Sequence, residues 1–109
     1  KGQMIIFNTT FHVEDDMHDM FIFFLKNKYV PKAVESGFLT DPRLAHIYKQ
    51  HEEKGKSYSL QFRVKDVDTL NQWLSAGEKM IQMEIADRFG HKVMGFITLL
   101  EEIDLECDK

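Results

Sequence analysis

Met4-Ile5-Ile6-Phe7-Asn8-Thr9-Thr10-Phe11-His12-Val13-Glu14-Asp15-Asp16 decides the fold through a change of period. From Met4 to Val13 the residues alternate, with Ile5, Phe7, Phe11 and Val13 on one side and Asn8, Thr10 and His12 on the other. That pattern predicts a strand with one buried face. The acidic triplet then offers an N-cap and favourable charge for a helix start, and Met17, Met20, Phe21, Phe24 and Leu25 follow at helical spacing. Pro31, which lacks a backbone N–H, should bend or restart this helix, and Gly37 supplies a stop, so helix is expected to about Ser36. Ile22 and Phe23 make the apolar stripe wider than one sheet contact needs.

Working outward, Arg43 to Gln50 and Ser57 to Lys65 read as two strands. The charged stretch from His51 to Lys56 between them reads as a hairpin loop with Gly55 in the turn. Asp66 or Asp68 caps a second helix whose stripe is Leu70, Trp73, Leu74, Gly77, Met80, Ile81 and Ile85, with Glu84 at its edge and Gly90 at its end. Lys92 to Ile103 gives a last strand that is apolar on both sides, as a strand covered on both faces would be. The order βαββαβ is that of an α+β, ferredoxin-like fold, with two helices on one face of a four-stranded antiparallel sheet and the other face open. A chain of 109 residues supports one hydrophobic core, so residues 1–109 are expected to form a single domain.

Composition excludes several classes of function. A formal charge of −4 provides no basic footprint for phosphates, which argues against nucleic acid as a partner. The longest apolar run, Met20 to Leu25, is far below the roughly 20 residues of a membrane-spanning helix. The lone Cys107 can form no intrachain disulfide and fits a reducing cytoplasm. Five histidines show neither an HxH nor an HxxxH spacing, so no metal site and no cofactor are expected.

Candidate chemistry rests on the open face. Asn8, Thr10 and His12 point there, and the alternation of Leu60, Phe62 and Val64 turns Ser59, Gln61 and Arg63 the same way. Placing Ala45 and Ile47 against the helices turns His46 and Tyr48 to the open face as well. Asn8, His12, His46, Tyr48 and Gln61 are therefore the expected ligand-binding set, a few polar groups beside the apolar Met4, Ile6, Met94 and Leu100. The same mixture suits a subunit interface. His12 and His46 are the candidate acids or bases. His18, His51 and His91 fall at a helix start, a hairpin loop and the head of a strand, where solvent exposure explains them; Tyr58 is left to strand preference.

Four segments together, Met4-Ile-Ile-Phe-Asn-Thr-Thr, Tyr29-Val-Pro-Lys-Ala-Val-Glu-Ser-Gly-Phe, Ser57-Tyr-Ser-Leu-Gln-Phe and Arg88-Phe-Gly-His-Lys-Val-Met-Gly-Phe, resemble a small bacterial domain-of-unknown-function family over about residues 4 to 103. That family is similar in structure to the dimeric α+β barrel proteins, in which two ferredoxin-like protomers pack their sheets together. The resemblance implies a homodimer. The wider group includes cofactor-independent monooxygenases, haem-degrading enzymes and stress-responsive barrels, but the only tryptophan here is Trp73 in the second helix, so no catalytic residue carries over. Two functions follow: a dimeric binding or interaction protein of unknown ligand, for which a small molecule is one candidate, or a cofactor-free monooxygenase-like or isomerase-like enzyme acting on a small molecule.

Overall fold

The computed structural model describes residues 4–49 and 54–107. The centre of the expected hairpin loop, including His51, lies outside the described residues, as do residues 1–3 and 108–109. The chain runs β1 (Ile5–Val13), α1 (His18–Phe24), α2 (Val30–Glu35), β2 (Thr40–Ile47), β3 (Lys56–Val64), α3 (Val67–Trp73), α4 (Lys79–Phe89) and β4 (Val93–Glu101). One π turn, Leu25–Tyr29, joins α1 to α2 and another, Leu74–Glu78, joins α3 to α4, so each pair forms one continuous rod. The sheet is antiparallel throughout, in the order β2-β3-β1-β4. This is the expected α+β, ferredoxin-like arrangement of a four-stranded sheet and two helical rods.

The rods cover one side of the two central strands. Phe7, Phe11 and Val13 of β1 and Leu60, Phe62 and Val64 of β3 are buried there against Phe21, Phe24, Leu25, Tyr29, Trp73, Ile81 and Phe89. Phe11 and Phe21 meet edge to face with centroids 4.9 Å apart, and Phe21 and Phe89 do so at 5.3 Å, geometries that the ring quadrupole favours. Asp66 caps α3 by accepting from the Thr69 amide at 2.8 Å, which satisfies one of the free donors of the first turn.

The break expected at Pro31 takes the form of the π turn immediately before it. Widening that turn accommodates a proline ring whose preceding turn would otherwise clash, and the rod continues in α geometry through Val30. The second π turn changes which residues are buried. It adds one residue to the turn, so Glu78 goes inward, 4% exposed, while Met80, expected in the stripe, is exposed. Glu84 is half-buried and pairs with Arg88 at 2.9 Å. Gly77 is required by the packing of this turn, since a Cβ there would sit 2.1 Å from the Trp73 ring.

Both outer strands differ from expectation. β2 begins at Thr40, three residues ahead of Arg43, and carries Pro42 and a register shift between Thr40 and Arg43, both tolerated because the strand is an edge. β4 is the other edge, and beyond the buried Val93 its apolar residues are uncovered on both sides, whereas the sequence pattern suggested a strand covered on both faces. Ile97 (45% exposed) and Leu99 (52%) lie on the helical side beyond the reach of the rods, and Met94 (55%) and Phe96 (61%) lie on the open side.

Candidate functional site

Register fixes what each face of the sheet presents. Ile6, Asn8, Thr10 and His12 of β1 stand beside Arg63, Gln61, Ser59 and Ser57 of β3 and beside Leu100, Thr98, Phe96 and Met94 of β4. A hydrogen-bonded strip runs through the middle of this open face. The Ser59 hydroxyl donates to Asn8 Oδ1 at 2.5 Å, Asn8 Nδ2 donates to Thr10 Oγ1 at 3.3 Å, and His12 Nδ1 bonds Ser57 Oγ at 3.0 Å. Lys49 reaches toward His12 Nδ1 at 3.5 Å.

Each end of the strip opens into a cleft. His12 and Met94 line one of about 450 Å³, with Asp15, Asp16 and Lys92 at its rim. Lys92 is ion-paired with Asp16 and holds that carboxyl below the usual aspartate range, while its own ammonium is held higher. Gly55 closes over His12 with φ at +83°, and any Cβ there would meet the Val13 carbonyl at 2.6 Å and His12 Nε2 at 2.8 Å. Gln61 lines the other cleft, about 340 Å³, with Ile6, Arg43, Arg63 and Glu102. Arg63 donates to Glu102 through Nε at 2.8 Å and Nη2 at 2.9 Å, and this bidentate bond raises the guanidinium's pKa further.

The five residues expected to converge do not share one cavity within a single chain. Asn8 and Gln61 are cross-strand neighbours, while His12 lies four residues along β1, about 13 Å away at the rise of a strand. His46 is a correction. The β2 register pairs Leu44 with Leu60 and His46 with Tyr58, so Leu44 and His46 take the helical side and Ala45 and Ile47 the open side, opposite to the expected facing. Tyr48 follows the end of β2, 91% exposed, with its ring 5.6 Å from that of His46. A strand exposed on both sides has no hydrophobic alternation to report its facing, so only pairing decides it.

Two polar groupings escaped the sequence reading. His18, expected to be a solvated helix-start residue, is half-buried; its Nδ1 bonds Asp19 Oδ1 at 3.0 Å and its Nε2 bonds the Tyr58 hydroxyl. Tyr58 stands between the rings of His18 and His46, at centroid distances of 5.5 and 5.3 Å. Its phenol is raised above the usual value, first by desolvation and then by the nearby Asp19 charge. The second grouping is in the core, where Glu78 accepts from the Tyr29 hydroxyl at 2.8 Å, Trp73 Nε1 at 3.0 Å and Gln82 Nε2 at 2.5 Å. Burial pushes the Tyr29 phenol well up, and the Glu78 charge adds to the shift. Among the described residues no three His, Cys, Asp or Glu side chains group as metal ligands, and no helix is long and apolar enough to cross a membrane.

Residues 4–103 match the family profile of the Domain of unknown function DUF4286, nearly the whole chain. The chain belongs to this family. No curated protein matches it in sequence. Among solved structures it is similar to an ethyl tert-butyl ether d (EthD) family protein from Bacillus halodurans, at 17% identity and a TM-score of 0.65 over 91% of this chain and 99% of that one. It is also similar to a candidate antibiotic biosynthesis monooxygenase from Bacillus cereus, at 12% identity and a TM-score of 0.64 over 98% of this chain and all (100%) of that one. A protein described as a dimeric ferredoxin-like protein from an uncultured marine organism matches at 11% identity and a TM-score of 0.62, over 95% and 98% of the two chains. At these identities the likeness establishes the fold of this DUF4286 domain and leaves its chemistry to its own residues.

Proposed function

We propose that this DUF4286 domain works as a homodimer that closes its open sheet face against a second copy and holds a small molecule along the polar strip of that face. The observation that carries this reading is the composition of the face. Asn8, Thr10, Ser57, Ser59 and His12 form a hydrogen-bonded strip, and Met94, Phe96 and Leu100 beside it are exposed apolar side chains. Apolar surface gathered on one face is a cost in water that a partner's matching face removes. Ordered hydroxyl, amide and imidazole groups at its centre then supply the orienting contacts of a ligand site. The similar structure described as dimeric supports the pairing.

Asn8 and Gln61 would orient the ligand through amide hydrogen bonds, and His12, at the edge of its cleft, would accept or donate a proton. His46 and Tyr48, on the other side of the sheet, stand apart from such a ligand. The lone, exposed Cys107 suits a reducing, cytoplasmic setting. A second reading, a cofactor-free monooxygenase-like or isomerase-like enzyme, is favoured by the imidazole of His12 standing in a cleft and by the likeness to the candidate monooxygenase.

Light scattering after gel filtration tests the dimer. The wild type is expected at twice the monomer mass and Phe96→Asp at the monomer mass with an unchanged circular dichroism spectrum. A monomeric wild type at micromolar concentration overturns the reading. In a thermal-shift screen of small molecules, a compound that stabilises the wild type and not Asn8→Ala marks the strip as its site.

A further inference from the structure

On the helical side of the sheet, away from the strip proposed above, four rings gather at one place. Tyr58 on β3 stands between His18 and His46, and His46 in turn meets Tyr48 edge-on. Chain order separates these groups widely, and only the pairing of β2 with β3 and the docking of α1 bring them together. The rods do not cover β2, so every residue of that strand is exposed and the His46 side of the group is open to a ligand.

The hydrogen bonds give the group a direction. A carboxylate only accepts, so the bond from His18 Nδ1 to Asp19 Oδ1 requires the proton on Nδ1. In the neutral ring Nε2 is then an acceptor, and the Tyr58 hydroxyl donates to it. The phenol oxygen keeps lone pairs facing away from His18. We infer that Asp19, His18 and Tyr58 form a proton-accepting relay, walled by His46 and Tyr48, for a small planar molecule bearing an acidic phenol or enol hydroxyl.

In the step the ligand's O–H passes its proton to the Tyr58 oxygen as the Tyr58 O–H proton moves to His18 Nε2. The ligand oxygen keeps the bonding pair and becomes a phenolate or enolate. Tyr58 ends as it began, and His18 becomes an imidazolium whose Nδ1–H is held by Asp19. Charge and atoms balance with no co-reactant. The relay ends on a ring nitrogen, an acceptor suited to acidic phenol and enol hydroxyls and not to alkyl alcohols. Aromatic walls favour a flat ligand through offset and edge contacts.

The test uses 4-nitrophenol, a flat phenol whose anion absorbs visible light. Titrating the intact protein into 4-nitrophenol on the acid side of its own ionisation should raise the phenolate band saturably. Tyr58→Phe, which keeps the ring and removes the relay oxygen, should weaken that response by about tenfold or more, the equivalent of one hydrogen bond. His18→Gln should abolish it, and Met83→Ala, on the exposed face of α4, should leave it unchanged. A flat titration with the wild type, or a band of equal size with Tyr58→Phe, overturns the inference. Nitrogen NMR of the histidine rings checks the relay without a ligand: a proton on Nδ1 of His18 is expected, and a neutral ring protonated on Nε2 overturns the direction assigned here.

Discussion

The two sides of the central strands are built from alternate residues of the same two strands and end in opposite states. On the side facing the rods, Phe7, Phe11, Val13, Leu60, Phe62 and Val64 are almost wholly buried. On the other, the same strands present Asn8, Thr10, His12, Ser59, Gln61 and Arg63; Asn8 bonds Thr10 and Ser59, His12 bonds Ser57, Arg63 bonds Glu102, and the apolar surface has moved out to β4. The buried side is organised by packing within one chain. The open side sets its polar groups in a strip and leaves its apolar ones without cover.

Truncation separates the two most sharply. Phe11→Ala should cost about 3–5 kcal/mol in urea unfolding, because it removes a ring that the Phe21 and Tyr29 rings pack against. Phe96→Ala, opposite Thr10 on the open side, should change monomer stability by no more than about 0.5 kcal/mol. Similar losses for the two would show that the open side is held as firmly as the buried one within a single chain.

A somewhat smaller effect is expected from the polar core. Glu78→Ala leaves the Tyr29 hydroxyl and Trp73 Nε1 buried without their acceptor and should cost roughly 2–4 kcal/mol. Adding Tyr29→Phe should recover part of the loss, since it removes one of the stranded donors. Failure of the double variant to recover any stability would mean that the cavity, and not the unpaired donors, sets the cost.

The smallest effect concerns the cap of α3. Asp66 is held below the usual aspartate value by its hydrogen bonds from the Thr69 hydroxyl and amide. Its contribution to stability is therefore present above about pH 4, the ordinary aspartate value, and is lost as pH falls through the lowered folded value. Asp66→Asn, which keeps an acceptor at the cap, should flatten that acid limb of the unfolding curve while changing stability little at neutral pH. An unchanged acid limb would assign the pH dependence to other carboxylates.

Legibility followed burial. The facing of β1 and β3 could be read directly, because one face is packed and period-2 alternation records it; Asn8, His12 and Gln61 therefore stand where the pattern placed them. β2 has no packed face, so Leu44 and His46 could not be told from Ala45 and Ile47 until pairing with β3 assigned them. Glu78 was hidden by a π turn, which shifts the buried stripe by one residue and takes Met80 out of it. Tyr58 carried a weak signal, a tyrosine in phase with Leu60 and Phe62 on the packed face, but its partner His18 lies 40 residues earlier.

The sequence by itself determined the order of elements, the buried side of the central strands and the net negative charge, because each is recorded in local spacing or in composition. Only the tertiary structure decided that β4 is an uncovered edge, which way β2 faces, and that Asp19, His18 and Tyr58 meet beside His46. Those outcomes depend on which strand lies beside which and on where a helix docks, and such long-range pairings leave no periodic trace in the chain.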